Sequence, residues 1–278
     1  MSIFFTYNDK TYKEGTGIIL SDNRSLKYGD GLFETLKILN GRIQLSTYHF
    51  ERLFSGMELL EFEIPNYFTE GYLKNKIAEL SKKNQHTIAR VRLMVFRGSG
   101  GLYDAENHHP NYIIQTWDIE NSRELNSNGI IIDIYQHAKK SCDNFANLKS
   151  NNFLPYVMAA IHAKKIRVND CILLNNYERI CDTTIANIFI IKDDIIYTPP
   201  LSEGCIDGVM RRFIIEQFRQ SEFSFIEKPI TVEELENADE IFLTNSIRGI
   251  QWVKEFRGIK YINQKVKKIH TFIQKQLL

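Results

Sequence analysis

Lys149, in Asn147-Leu148-Lys149-Ser150-Asn151-Asn152, stands 33 residues ahead of Asp182 in the run Asp182-Thr183-Thr184-Ile185-Ala186-Asn187-Ile188-Phe189. Two further runs follow, Thr198-Pro199-Pro200-Leu201 and Asp207-Gly208-Val209-Met210-Arg211, the second with a glycine placed to open a helix. Their chemistry is complementary. A lysine amine can form a Schiff base with an aldehyde, a carboxylate can pair with a pyridinium nitrogen, and the N–H groups of a helix start attract a phosphate. Together these are what a protein needs to hold pyridoxal 5'-phosphate. Ordinary alternatives exist for each: a surface lysine, and an aspartate in a strand-end turn with Thr183 and Thr184 satisfied nearby.

The elements that must position these residues read as an α/β chain in two parts. In the first, residues 32–38 suit a strand, and Asn40-Gly41 is a two-residue hairpin turn into Arg42-Ile43-Gln44-Leu45. Ser46 can cap a helix on which Phe50, Leu53, Phe54, Met57 and Leu60 recur at helical spacing. A second amphipathic helix is expected over residues 70–83. Residues 87–96 form a strand with Val91, Leu93 and Val95 on one face and Arg90, Arg92 and Met94 on the other. Another strand covers 112–117. The polar stretch Asn121-Ser122-Arg123-Glu124 is the expected linker, which sets a boundary near residue 120. Residues 1–120 are then an N-terminal α/β domain and 121–278 a C-terminal cofactor-binding domain.

The second part opens with a strand over 130–135, and a helix over 152–167 follows Lys149. A strand over 171–174 turns through Asn175-Asn176 into Arg179-Ile180-Cys181. Residues 187–192 and 195–198 form a hairpin about Asp193-Asp194. The helix led by Gly208 runs to about residue 218, and Thr231-Val232-Glu233-Glu234 is a capping box. A strand over 240–244 and a helix over 264–278 complete the reading.

Composition narrows the classes. Hydrophobic residues at 43% and charged ones at 25% are ordinary for a soluble globular enzyme, and 278 residues leave room for two modest domains or one large one. A net charge of +1 gives no reason to propose a nucleic-acid or anionic-membrane partner. No basic segment precedes Met1-Ser2-Ile3-Phe4-Phe5, and no apolar run approaches the roughly 18 residues of a membrane span, so a cytoplasmic protein is expected. Cys142, Cys171, Cys181 and Cys205 form no CxxC pair and read as free thiols. Adjacent His108 and His109 diverge from one another with no third ligand in view, and no metal site is expected.

On these motifs, in this order, the chain resembles the fold-type IV pyridoxal-phosphate enzymes. That group includes the branched-chain aminotransferases, the D-amino acid transaminases and 4-amino-4-deoxychorismate lyase. The likeness runs from about Tyr28 to Val253. It implies a two-domain α/β (α+β) fold of the D-amino acid transaminase type, and a homodimer with each active site near the subunit interface. It also implies that Lys149 is the catalytic Schiff-base lysine and that Asp182 pairs with the ring nitrogen. Arg52, in His49-Phe50-Glu51-Arg52-Leu53, matches the family's phosphate-binding His-x-x-Arg-Leu pattern. Val209 and Met210 would offer backbone N–H groups, with Gly208 permitting close approach, and Ser246 matches a phosphate-binding hydroxyl. An exposed helix arginine and a turn-capping serine are the alternatives for Arg52 and Ser246. Asp182 departs from the family's usual glutamate; being one methylene shorter, it requires a shifted ring or a bridging water.

On the substrate side, Arg97 in Arg97-Gly98-Ser99-Gly100-Gly101 falls near the place of a carboxylate-binding arginine, and the run is similar to that of the lyases. A salt-bridged arginine at a strand end is its alternative. Tyr28 and Phe33 would line the mouth of a cleft, or belong to the core. The polar loop over 101–111 is a candidate for reaching over a neighbouring site. The resemblance implies an amino acid or aminodeoxychorismate as the small-molecule substrate. The glycine run, the Lys149–Asp182 spacing and the proline and glycine motifs lean towards a lyase that releases pyruvate and 4-aminobenzoate. A branched-chain or D-amino acid aminotransferase is the second reading, and a cofactor-binding protein with little turnover the third.

Overall fold

The computed structural model describes residues 3–120 and 124–277. The chain divides into two compact units, Met1–Asn121 with Lys149–Asn152, and Ser122–Leu148 with Phe153–Leu278. Asn121, Ser122 and Arg123 of the expected linker, and Leu278 of the expected last helix, lie outside the described residues. Lys149–Asn152 groups with the first unit rather than with the later residues that surround it in sequence.

In the first unit, β1 (Phe4–Tyr7), β2 (Lys10–Lys13) and α1 (Arg24–Tyr28) precede β3 (Gly31–Leu39) and β4 (Arg42–Ile43). Then come α2 (Ser46–Leu59), α3 (Glu70–Lys83), β5 (Ile88–Arg97) and β6 (Pro110–Asp118). The strands make one antiparallel sheet in the order β2-β1-β6-β5-β3-β4. Its two faces follow from alternation. Leu32, Leu36 and Ile38 of β3 and Val91, Leu93 and Val95 of β5 are buried on one face. There α2 packs on β3, and α3 packs on β6 and β1, through Phe50, Leu53 and Met57 and through Leu73, Ile77 and Leu80. Phe33, Arg90, Arg92 and Met94 alternate onto the opposite face. Asn40 (φ 51°) and Gly41 (φ 75°) both take the left-handed backbone that the β3–β4 turn needs.

Ser46 does not cap α2. Leu45 turns the corner out of the hairpin with a left-handed backbone (φ 52°), so Ser46 is already helical, and its hydroxyl donates to Glu70 Oε1 at 3.2 Å.

The second unit contains β7 (Ile130–Lys140), α4 (Leu154–Ile166), β8 (Asp170–Asn175), β9 (Ile180–Thr183), β10 (Asn187–Lys192) and β11 (Ile195–Thr198). After a 3₁₀ turn at Leu201–Glu203 come α5 (Val209–Arg219), β12 (Phe225–Glu227), α6 (Val232–Glu236), β13 (Glu240–Asn245), β14 (Gly249–Phe256), β15 (Ile259–Lys260) and α7 (Gln264–Gln276). The sheet runs β12-β11-β10-β13-β14-β7-β8-β9, with β15 on β14. Strands β8, β9, β10 and β13 are buried at nearly every position, so they read as continuous apolar runs such as Ile188-Phe189-Ile190-Ile191. Isoleucines of five strands make one core with Ile230, Leu235 and Phe256.

In this unit β7, α4 and β8 differ from expectation at their boundaries. β7 continues to Lys140, where a register irregularity against β8 spans Ile134 to Lys139. α4 starts at Leu154 with Pro155 in its first turn and ends where Arg167 turns left-handed (φ 60°). Asn175 closes β8 rather than sitting in the turn, and its Oδ1 accepts the amides of Tyr177 and Arg179. Among the described residues no helix is long and apolar enough to cross a membrane.

Candidate active site

Asp182 is the third residue of β9, between the buried Cys181 and Thr183, and is only 2% exposed. Its Oδ2 accepts three hydrogen bonds: Tyr156 Oη at 2.9 Å, the Ile206 amide at 2.9 Å and Lys140 Nζ at 3.2 Å. Lys140 Nζ also donates to the Tyr156 oxygen. The other oxygen, Oδ1, is buried with no partner among the described residues. A buried carboxylate oxygen without a donor is costly unless something else supplies one. Thr183 and Thr184 do not satisfy Asp182. Their hydroxyls donate to Asp170, at 2.8 and 2.6 Å, and burial pushes the Asp170 carboxyl up from its ordinary value despite those bonds. The strand-end turn therefore belongs to Asp170.

The approach to α5 is fixed from several sides. The Asn147 side chain donates to the carbonyls of Leu201 and Cys205, and its backbone carbonyl accepts the Asp207 amide at 3.1 Å. Asn187 Nδ2 donates to the Ile206 carbonyl at 2.9 Å. A Cβ on residue 208 would collide with Asn187 Oδ1, so only glycine fits there. α5 begins at Val209 and Met210 with Gly208 as N-cap, and glycine offers no capping side chain. Its first amides thus keep the character of an anion site. Thr244 Oγ1, opposite Asn187 in the β10–β13 ladder, is buried without a partner among the described residues. Ser246 follows in the β13–β14 loop, half-buried, where Asn245 Oδ1 accepts the amides of Ile247 and Arg248.

In the first unit, residues 149–152 lie along the start of β3. The Phe33 amide donates to the Lys149 carbonyl at 2.9 Å, the Asn151 amide donates to the Gly31 carbonyl at 2.8 Å, and Leu32 bridges Ser150. Gly31 is required because a Cβ would strike the Val95 carbonyl of β5. Lys149 Nζ stands 4.5 Å from the centre of the Phe33 ring, and the Arg92 guanidinium stands 4.3 Å from the same ring. Burial, and then the neighbouring Arg90, lower the Arg92 guanidinium from its ordinary range.

Arg52 is anchored rather than solvated. Its Nε and Nη2 donate to the two oxygens of Glu34, at 2.8 and 2.6 Å, and His49 Nδ1 lies 2.6 Å from Glu34 Oε2. Burial alone would raise the Glu34 carboxyl, but Arg52 and then His49 outweigh it and hold it at about 2.

Arg97 takes the strand-end alternative. It donates to Asp30 Oδ1 at 3.1 Å and to the Leu60 carbonyl, and lies over the Phe62 ring at 4.5 Å. Asp30 Oδ2 accepts Arg24 Nε at 2.8 Å, and Arg24 also donates to the carbonyls of Gly100, Leu102 and Tyr103. Tyr28 packs against Tyr103 beneath Arg24. The glycines of the 97–101 run have a steric cause, since a Cβ would meet Asn107 at 98, Glu106 at 100 and the Asp104 carbonyl at 101. His109 reaches the Glu63 carbonyl at 3.1 Å.

Within the first unit the structure therefore gathers Lys149, Phe33 and Arg92, and separately Arg52 with Glu34 and His49. Arg97 and Tyr28 belong to the loop buttress. In the second unit Asp182 is joined by Lys140 and Tyr156, which sequence reasoning does not single out. Lys140 reads as a solvated lysine at a strand end, and Tyr156 as one aromatic near a helix start. Arg92 has a signal, since the alternation of β5 puts it on the face away from the helices.

Residues 31–256 match the family described as amino-transferase class IV. A Methanocaldococcus jannaschii protein named "Putative branched-chain-amino-acid aminotransferase" is 28% identical over 93% of this chain and 89% of its own length. D-alanine aminotransferase of Bacillus licheniformis is 26% identical over 91% and 88%. Aminodeoxychorismate lyase of Vibrio harveyi is 25% identical over 84% and 86%. Among solved structures, the branched-chain aminotransferase of Thermoproteus uzoniensis with norvaline superposes with a TM-score of 0.89 at 22% identity, over 100% of this chain and 95% of that one. A T.th. branched-chain amino acid aminotransferase with pyridoxamine 5'-phosphate gives 0.88 at 16% identity, over 100% and 95%.

Proposed function

The chain belongs to the class IV aminotransferases, pyridoxal-phosphate-dependent enzymes of fold-type IV, and we propose that it exchanges amino groups between an amino acid and a keto acid. Asp182 carries the cofactor assignment. A sealed carboxylate with one satisfied and one unpartnered oxygen suits a cationic ring nitrogen as its missing donor. Thr244 Oγ1 and the uncapped start of α5 add buried polar capacity for a phosphate nearby in the second unit. The amides of Val209 and Met210, Ser246 and Arg52 are the phosphate ligands in this reading. The bound cofactor supplies an aldehyde for the substrate's amino group and an electron-withdrawing ring. Lys149 Nζ would hold the cofactor through its aldehyde carbon and would move the substrate's α-proton. Arg92, packed on the ring it shares with Lys149, is the first choice to pair with the substrate carboxylate. Arg97, already paired with Asp30, fixes the loop instead.

Read as a motif, the glycine run favours a lyase. The structure gives part of that run a backbone reason, a positive φ at Gly100 and at Gly101 with the Asp104 carbonyl against the latter, and the relatives at 28% and 26% identity named above are aminotransferases. The lyase keeps one support from the family resemblance, the 33-residue interval from Lys149 to Asp182. A pair of reactions decides. Holoenzyme given amino acids one at a time should bleach its visible band as it gains an amino group, and recover with a keto acid. Aminodeoxychorismate given without keto acid should release no pyruvate. Pyruvate release with no amino-group exchange would replace this reading with the lyase.

A homodimer is part of the proposal. Leu154, Val157, Met158 and Ile161 form an exposed apolar stripe at helical spacing on α4. A mass of one chain in gel filtration at micromolar concentration would contradict it.

A further inference from the structure

Asp182 is held in an unusual way for a carboxylate that must meet a ligand. Donors from three separate places converge on one of its oxygens: Lys140 from the end of β7, Tyr156 from the first turn of α4, and the Ile206 amide ahead of α5. The side chain cannot rotate without breaking all three. The other oxygen receives nothing from the described residues. Lys140 is itself only 8% exposed. A buried ion pair is a poor device for stability, because the desolvation of both ions offsets their attraction and a pair of apolar side chains would serve as well. Its presence therefore calls for an electrostatic role.

Resting on the cofactor assignment above, we propose that Lys140 and Tyr156 are positioning residues: they lock Asp182 Oδ2, reserve Oδ1 for the cofactor's ring nitrogen, and keep the proton between the two on the ring. A proton shared by a carboxylate and a ring nitrogen goes to the partner in the less positive surroundings. The Lys140 ammonium touches the carboxylate on the oxygen away from the shared proton, so it favours the carboxylate anion and the ring cation. Tyr156 adds a donor without charge. Burial, and then the Asp182 charge, push its hydroxyl well above the ordinary tyrosine range, so it stays protonated. The neighbouring thiols add no charge either, because burial pushes Cys181 up and Cys205 up to about 12, leaving both neutral. The device matters for function because only the protonated ring is a strong electron sink.

The test titrates apoprotein with pyridoxal phosphate and reads ring protonation by ¹⁵N NMR of cofactor labelled at the ring nitrogen. In the wild type and in Lys140→Arg the ring should be protonated, with affinities within about threefold of each other, since the cation is kept. In Lys140→Met the ring should lose its proton and affinity should fall by about tenfold, the loss of one charge-assisted hydrogen bond. A protonated ring in Lys140→Met, or an unprotonated one in the wild type, overturns the proposal. If Lys140→Met does not fold, as judged by circular dichroism of the apoprotein, Tyr156→Phe decides. It should keep the ring proton and weaken binding by about threefold, and unchanged binding would overturn the role of the lock. Failure of the wild type to take up the cofactor at all would instead refute the functional assignment beneath it.

Discussion

Glu34 in the first unit and Asp182 in the second are each buried beside a cation, and the two are finished differently. In the first unit both oxygens of Glu34 are occupied, by the two arms of Arg52 and by His49. In the second, three donors crowd one oxygen of Asp182 and the other is left without a partner among the described residues. A closed pair is complete in the protein alone and can only orient its cation. An open one has capacity left for something the protein does not supply. The cations differ as well, since Arg52 grips both oxygens of its acid with two arms whereas Lys140 meets one oxygen with a single ammonium.

The largest effect should come from breaking the closed pair. Glu34→Ala removes the buried carboxylate that Arg52 and His49 both face, so denaturant unfolding of the apoprotein should show a loss of about 3–5 kcal/mol. A loss no larger than that of an exposed substitution would end the contrast. Asp182→Ala should do the reverse, lowering turnover by about 10²–10³-fold while costing less stability than Glu34→Ala, because one of its oxygens has no partner among the described residues to lose. Equal stability losses would make Asp182 a second structural pair.

A finer separation uses pH. The Glu34 carboxyl is held at about 2 in the folded protein against an ordinary 4.5, so it binds its proton more readily when unfolded. Its stabilising contribution is therefore full above about 4.5 and is lost as pH falls through about 2. Unfolding of Glu34→Gln followed across that window should be flatter than the wild type. The smallest effect sets the baseline. Thr231 caps α6 by accepting the Glu234 amide at 3.1 Å, with no buried charge involved, and Thr231→Ala should cost about 1 kcal/mol by thermal unfolding.

Much of the frame is legible in sequence because it is local. The Asn40-Gly41 and Asp193-Asp194 turns, the α3 span and the Thr231 capping box all follow from short-range backbone chemistry, and the structure has them where expected. The strand β14 is not legible, because a bulge between Val253 and Glu255 breaks its alternation, burying Ile250, Val253 and Phe256 at a spacing of three. Ser46 reads as a cap in sequence, yet a cap depends on the backbone of the preceding corner, which Leu45 takes.

The residue types and their order along the chain determined the chemistry that is possible: one amine, one acid and one glycine-led helix start at family spacing. Only the tertiary structure decided which side chains complete them. Lys140 and Tyr156 lie 42 and 26 residues from Asp182, and Arg97 finds its acid 67 residues away in Asp30. Such pairings depend on where sheet register and loop closure bring distant segments together. No local pattern encodes that, because each of these side chains, in its own stretch of sequence, fits a solvated surface equally well.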